Sequence, residues 1–155
     1  MNRKRRQLLT LLAAVPALQI ATPALSQNQS IWTVQQTYEA LSEDQIRLLD
    51  IRSQEEWHET GVARGAWPVS MHDRRFPKRL GIVLELAENR PIALICATGG
   101  RSASVVRALR LAGYNSFIDV SEGMLGSRFG PGWIKAGLPI ISVDKALDAL
   151  PDALV

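Results

Sequence analysis

The chain has a single cysteine, Cys96, among 155 residues, which excludes an internal disulfide and any metal site built on several thiolates. Histidine is almost as scarce. His58 and His72 are too few and too poorly spaced to frame a metal centre, so the expectation is no metal and two surface or partly buried rings. Aromatic residues make up 6% and charged residues 21%, against 46% hydrophobic. That balance belongs to one globular domain with a core of its own, not to a disordered or fibrous chain. No apolar run reaches the ~20 residues of a membrane-spanning helix. A nucleotide-binding Gly-x-x-x-x-Gly-Lys loop is also missing. The formal charge of +3 misleads, because Arg3, Lys4, Arg5 and Arg6 supply four of the 18 bases and residues 1–26 hold no acid. Residues 27–155 therefore carry 14 bases against 15 acids. With no cationic excess to neutralise phosphates, nucleic acid is excluded as a partner.

The acid-free start has the three parts of an export signal. Arg3 to Arg6 form the positive region, Leu8 to Ile20 an apolar stretch of 13 residues interrupted by Pro16 and Gln19, and Ala24-Leu25-Ser26 a small-residue cleavage site. Arg5-Arg6 before Gln7-Leu8-Leu9 resembles a twin-arginine signal, which a receptor reads as an address. Residues 1–26 are thus expected to be removed, leaving no stable membrane anchor and a periplasmic or secreted protein, a setting in which a lone thiol is unusual.

Beyond it, helix and strand patterns alternate. Thr33 to Gln36 has the form of a capping box before a helix through Leu41, and Ser53 to Glu56 repeats it before a short helix that stops at Gly61. Ile46 to Asp50, Ala66 to Ser70, Ile92 to Cys96 and Ser116 to Val120 read as extended. In the second of these Pro68 keeps Trp67 out of the helical region, and the third is a continuous apolar run of the kind buried on both faces. Longer helices are expected over Pro77 to Asn89 and Ser102 to Ala112, the latter with Val105, Val106, Leu109 and Ala112 on its apolar side. A short helix is expected over Val143 to Leu150 within a C-terminal extension, 140–155. The class is α/β: an open parallel sheet flanked by helices on both faces, with no repeat and no second domain.

Cys96 carries the chemistry. It ends a buried strand and is followed by Ala97-Thr98-Gly99-Gly100-Arg101 and then by a helix, at the sheet edge where open parallel sheets bind ligands. The two glycines let successive N–H groups curl inward, the helix start adds a positive dipole, and Arg101 adds a charge. Such a cradle favours the nucleophilic thiolate form of a cysteine at its floor. A buried inert cysteine and a phosphate loop without covalent chemistry are the plainer readings of the same residues.

Four segments together resemble the rhodanese family of sulfurtransferases over Thr33 to Pro139. They are Leu48-Leu49-Asp50-Ile51-Arg52; Glu55-Glu56-Trp57 with Gly61 and Gly65-Ala66; Cys96 to Arg101; and Gly123 through Trp133 with Gly137-Leu138-Pro139. The resemblance implies a rhodanese-like open sheet and no cofactor. It further implies that a small anionic donor of the thiosulfate type passes a sulfane sulfur to Cys96, and that a thiophilic acceptor, cyanide or a thiol, removes it from the persulfide. In that scheme Ala97, Thr98, Gly99, Gly100 and Arg101 bind the donor and the persulfide. Asp50 and Arg52 themselves read as a structural pair or as residues that orient loops beneath the active site, with substrate contact by Arg52 the lesser alternative. Val62 and Arg64 stand where the family often has His and Pro.

Loop length bears on the reaction. Four residues separate Cys96 from Arg101, as in sulfur-transferring relatives, whereas related phosphatases and arsenate reductases carry one more. A persulfide carrier without turnover is the alternative from outside enzymology; a phosphatase or arsenate reductase is the third reading. Arg74, Arg75, Lys78 and Arg79 read as a solvated helix start that could also attract anions, and Trp57, Trp67 and Trp133 as packing residues, with Trp133 a possible pocket wall.

Overall fold

A computed structural model describes residues 31–155; the proposed signal, 1–26, lies outside the described residues. Within them the expected strands form one parallel sheet. In chain order β1 is Ile31–Trp32, α1 Val34–Ser42, β2 Arg47–Asp50, α2 Gln54–Thr60, β3 Val62–Ala63, β4 Trp67–Pro68 and α3 Phe76–Leu86. There follow β5 Ile92–Ile95, α4 Gly100–Leu111, β6 Phe117–Val120, α5 Gly132–Lys135, β7 Ile140–Ile141 and α6 Val143–Asp148. The main sheet runs β1-β6-β5-β2-β4 with every pairing parallel, and β3 pairs antiparallel with β7 in a separate ribbon.

Alternation along the central strands sorts the core into two layers. Leu48, Ala93, Ile95, Ile118 and Val120 point to one face, where Val34 and Ala40 of α1, Trp57 of α2 and Trp133 of α5 cover them. Leu49, Ile92, Leu94 and Phe117 point to the other, against Phe76, Leu80 and Val83 of α3 and Val106 of α4. Strands apolar on both faces are what a sheet sandwiched between helices requires. β4 is the edge, a position that tolerates Pro68 because proline has no N–H to give a further strand. The C-terminal extension closes that edge: Val143 and Ala146 join the first layer and Leu150 and Leu154 the second.

Local chemistry sets the boundaries. Both capping boxes are formed, with Thr33 and Ser53 accepting from the amides of Gln36 and Glu56 while those side chains accept from the cap N–H groups. Buried Glu122 ties the starts of α1 and α5 together, accepting from the amides of Val34 and Gly132 at 3.1 Å each. Three expectations need correction. The third helix stops at Leu86 rather than Asn89, because Glu88 and Asn89 take left-handed φ of 51° and 69°. The fourth helix starts at Gly100, two residues early, since Gly99 at φ 85° already turns the chain into it. Ala112, expected on its apolar side, is exposed. β1, β3, β7 and α5 were not legible: two-residue strands and a one-turn helix are too short for any periodicity.

Candidate active site

The parallel strands put their C-terminal ends along one edge, and the loops that leave it converge on Cys96. Ile95 lies in register with Asp50, so Cys96 and Arg52 leave neighbouring strands together. Cys96 is 1% exposed. Its sulfur accepts from the amide of Gly99 at 3.1 Å and lies 3.4 Å from the hydroxyl oxygen of Ser102, which donates to the Gly99 carbonyl at 3.1 Å. The first amides of α4 have no intrahelical partner, so the helix start beside the sulfur presents N–H groups to an anion. Ala97 and Gly99 are partly and fully buried, while Thr98 and Gly100 face solvent.

The loop keeps this shape because a second turn supports it. Met124 donates its amide to the Cys96 carbonyl and Leu125 to the Ala97 carbonyl, both at 2.9 Å. Side chains cannot enter that contact. A Cβ on Gly99 would lie 2.1 Å from the Ser121 carbonyl oxygen, and one on Gly123 2.4 Å from that of Ala97. The Gly-rich segment after β6 is therefore the platform of the cysteine loop.

Asp50 and Arg52 pair at the end of β2, next to the strand that leads into Cys96. Both are buried, at 0% and 1% exposure. The Arg52 guanidinium donates to both Asp50 oxygens at 2.7–3.1 Å, to Thr60 Oγ1 at 2.7 Å and to the Gly61 carbonyl at 2.7 Å. With its donors committed to Asp50 at the end of β2 and to Thr60 and Gly61 at the end of α2, Arg52 ties the two ends together.

Arg101 departs from expectation. Its charge is not free for an anion: the guanidinium grips Glu56 through two bonds, Nη1 to Oε2 at 2.8 Å and Nη2 to Oε1 at 2.5 Å. Chiefly through Arg101, the Glu56 carboxyl is lowered to about 2. His72 completes the group, its Nε2 being 3.3 Å from Arg101 Nη1. Sequence reasoning missed Glu56, Ser102 and His72. Glu56 had been accounted for as a capping residue and Ser102 as a helix start, and only the spiral of α4 reveals that the residue after Arg101 turns back on the sulfur.

A cavity of about 560 Å³ opens beside His72, lined also by Ser53, Trp57, Arg75, Arg79 and Leu150. Arg75 and Arg79, two of the four bases of the cluster, both pair with Asp73 just before α3, at 3.2 and 3.3 Å. Trp133 is not a pocket wall. It is 0% exposed, donates its indole N–H to the Pro139 carbonyl at 3.0 Å and meets Tyr38 edge-on. Val62, at the position where the resemblance leads one to expect His, is a buried strand residue paired with Ile141.

Fold, loop and platform define an α/β domain with a cysteine at a helix start, and comparison with known proteins places it. The rhodanese-like domain profile matches residues 33–126; the chain belongs to the rhodanese-like family. A solved rhodanese-like domain protein from Staphylococcus aureus is 27% identical, with a TM-score of 0.53, covering 74% of this chain and 100% of its own. Rv0390 from M. tuberculosis is 28% identical with a TM-score of 0.51, covering 70% of this chain and 94% of its own. SSP1007 from Staphylococcus saprophyticus is 28% identical with a TM-score of 0.52, covering 72% and 99%. No curated protein matches the chain.

Proposed function

We propose that this protein is a sulfurtransferase that carries a sulfane sulfur on Cys96 as a persulfide, taking it from a small donor of the thiosulfate type. The observation that carries the reading is the 3.1 Å bond from the Gly99 amide to the Cys96 sulfur at the start of α4. A sulfur held there as an anion is stabilised by backbone dipoles without needing a neighbouring base.

The Cys96 thiolate attacks the outer sulfur of the donor. The new S–S bond forms as the donor's own S–S bond breaks, and sulfite leaves with the electron pair. The terminal sulfur of the persulfide then takes the place an anion would take among the amides of Ala97 to Arg101. A nucleophilic acceptor, cyanide or a thiolate, attacks that terminal sulfur and leaves as thiocyanate or as a new persulfide, returning Cys96 to the thiolate. Burial of Cys96 to 1% exposure suits a slim donor with a single protruding sulfur atom.

Thiocyanate production from thiosulfate and cyanide tests turnover. The reading expects many cycles from the wild type and none from Cys96→Ser. One equivalent of sulfur taken up and never passed on would make the protein a carrier, and hydrolysis of an aryl phosphate that depends on Cys96 would make it a phosphatase. The basic, acid-free N-terminus adds the proposal that the protein is exported and acts in the periplasm or outside the cell. Fractionation of expressing cells with N-terminal sequencing of the mature chain tests this; a cytoplasmic protein retaining residues 1–26 would overturn it.

A further inference from the structure

Glu56 makes two kinds of contact, and only one of them needs its charge. As the third residue of α2 it accepts from the Ser53 amide at 2.9 Å, a task that an uncharged amide performs equally well. Gln36 does so in α1 of this same chain. The charge is instead matched to Arg101 in a two-bond grip, with both side chains roughly two-thirds or more withdrawn from water, at 28% and 31% exposure. Arg101 is the second residue of α4, at the helix start that holds the Cys96 sulfur, and its charge lies near enough to that sulfur to interact with it, so it acts on an anion brought to the sulfur. A paired guanidinium attracts such a group far less than a free one.

We infer that Glu56 is a specificity-determining residue: by neutralising Arg101 it weakens the site's preference for doubly charged sulfur donors over singly charged ones. The inference deepens the sulfurtransferase reading and rests on it for the donors, though its electrostatic content concerns the Cys96 site whatever the reaction.

Because Cys96 is the only cysteine, alkylation of the full chain reports on one site. The rates with iodoacetate, an anion, and iodoacetamide, its neutral analogue, are measured for the wild type and for Glu56→Gln, which keeps the cap. Freeing Arg101 is expected to raise the iodoacetate-to-iodoacetamide rate ratio on the order of 3- to 10-fold, over and above any common rise that a larger thiolate fraction gives both reagents. An unchanged ratio overturns the inference. So does a rise of both rates by the same factor, which means that Glu56 acts on the thiol or on loop opening and not on the charge of the incoming reagent. The second readout is selectivity between thiosulfate, a dianion, and methanethiosulfonate, a monoanion. Glu56→Gln is expected to shift kcat/KM toward thiosulfate by a similar factor, through KM; a shift through kcat alone contradicts it. Failure of the wild type to use either donor counts against the sulfurtransferase reading, and the alkylation ratio still decides the role of Glu56.

Discussion

Gly123 and Ala97 touch backbone to backbone: a Cβ on Gly123 would meet the Ala97 carbonyl oxygen at 2.4 Å and the Thr98 nitrogen at 2.7 Å. Two segments that are 26 residues apart in the chain are thereby locked into one structure, and the shape of the cysteine loop depends on a glycine outside it. Gly123→Ala must relieve both the clash and a φ of 70°, so a loss on the order of 2–4 kcal/mol is expected. Gly113→Ala is the control. Its φ of 93° is equally left-handed but open space surrounds it, so only the conformational cost of about 1–2 kcal/mol applies. Thermal melts of the two variants check the difference; equal losses would show that the contact carries no weight.

The Asp50–Arg52 pair predicts an asymmetry between single and double replacement. Arg52→Met leaves a carboxylate that is 0% exposed without its partner, which is expected to cost about 3–5 kcal/mol. Adding Asp50→Asn removes the stranded charge, so the double variant is expected to lose less than the sum of the two single ones. Urea denaturation of the four proteins gives the coupling directly, and strict additivity would contradict the account.

Acid sensitivity follows from Glu56. Its carboxyl titrates near 4.5 when free and is lowered to about 2 in the fold, chiefly by Arg101. A depressed carboxylate contributes stability that is fully present above about pH 4.5 and is lost as pH falls toward about 2. Glu56→Gln removes that dependence. The wild type should therefore lose its advantage over the variant progressively across this window when stability is followed against pH, and a constant difference would refute the assignment.

The sequence made the central machinery legible for an identifiable reason. Cys96 to Arg101 is a contiguous loop whose glycines and charge announce a turn into a helix, and the capping boxes at Thr33 and Ser53 are local signals that need no tertiary information. The platform behind the loop was seen only as a Gly-rich signature, because its meaning lies in contacts between Gly123 and Ala97 and between Gly99 and Ser121 that no local pattern encodes. The same holds for Arg101. Its presence was evident, yet its capture by Glu56, 45 residues earlier, depends on how α2 docks beside α4. Trp133 illustrates the converse: it reads first as a packing residue, and α5 turns the ring wholly inward into the core, so the pocket-wall alternative raised by its Gly-Pro-Gly surroundings falls away.

Asp119 offers a test on the face of the sheet that α4 covers. It is buried at 5% exposure in β6, its Oδ1 has no hydrogen-bond partner, and burial pushes its carboxyl up. A raised carboxyl favours the folded state at low pH and weighs against it once ionised. Asp119→Asn is thus expected to stabilise the protein at neutral pH by on the order of 1 kcal/mol, the gain fading as pH falls from the raised native value toward the ordinary 3.8, below which the carboxyl is protonated in both states. Chemical denaturation at neutral and acid pH checks both halves; a destabilised variant at neutral pH would show that the charge is compensated.

The central claim is a persulfide on Cys96, and intact-mass analysis tests it most directly. Residues 27–155, wild type and Cys96→Ser, are weighed after exposure to thiosulfate and again after cyanide is added. The account predicts a gain of one sulfur atom in the wild type, none in the variant, and its discharge by cyanide. A wild-type mass unchanged by thiosulfate, or a gain that survives in Cys96→Ser, would contradict it.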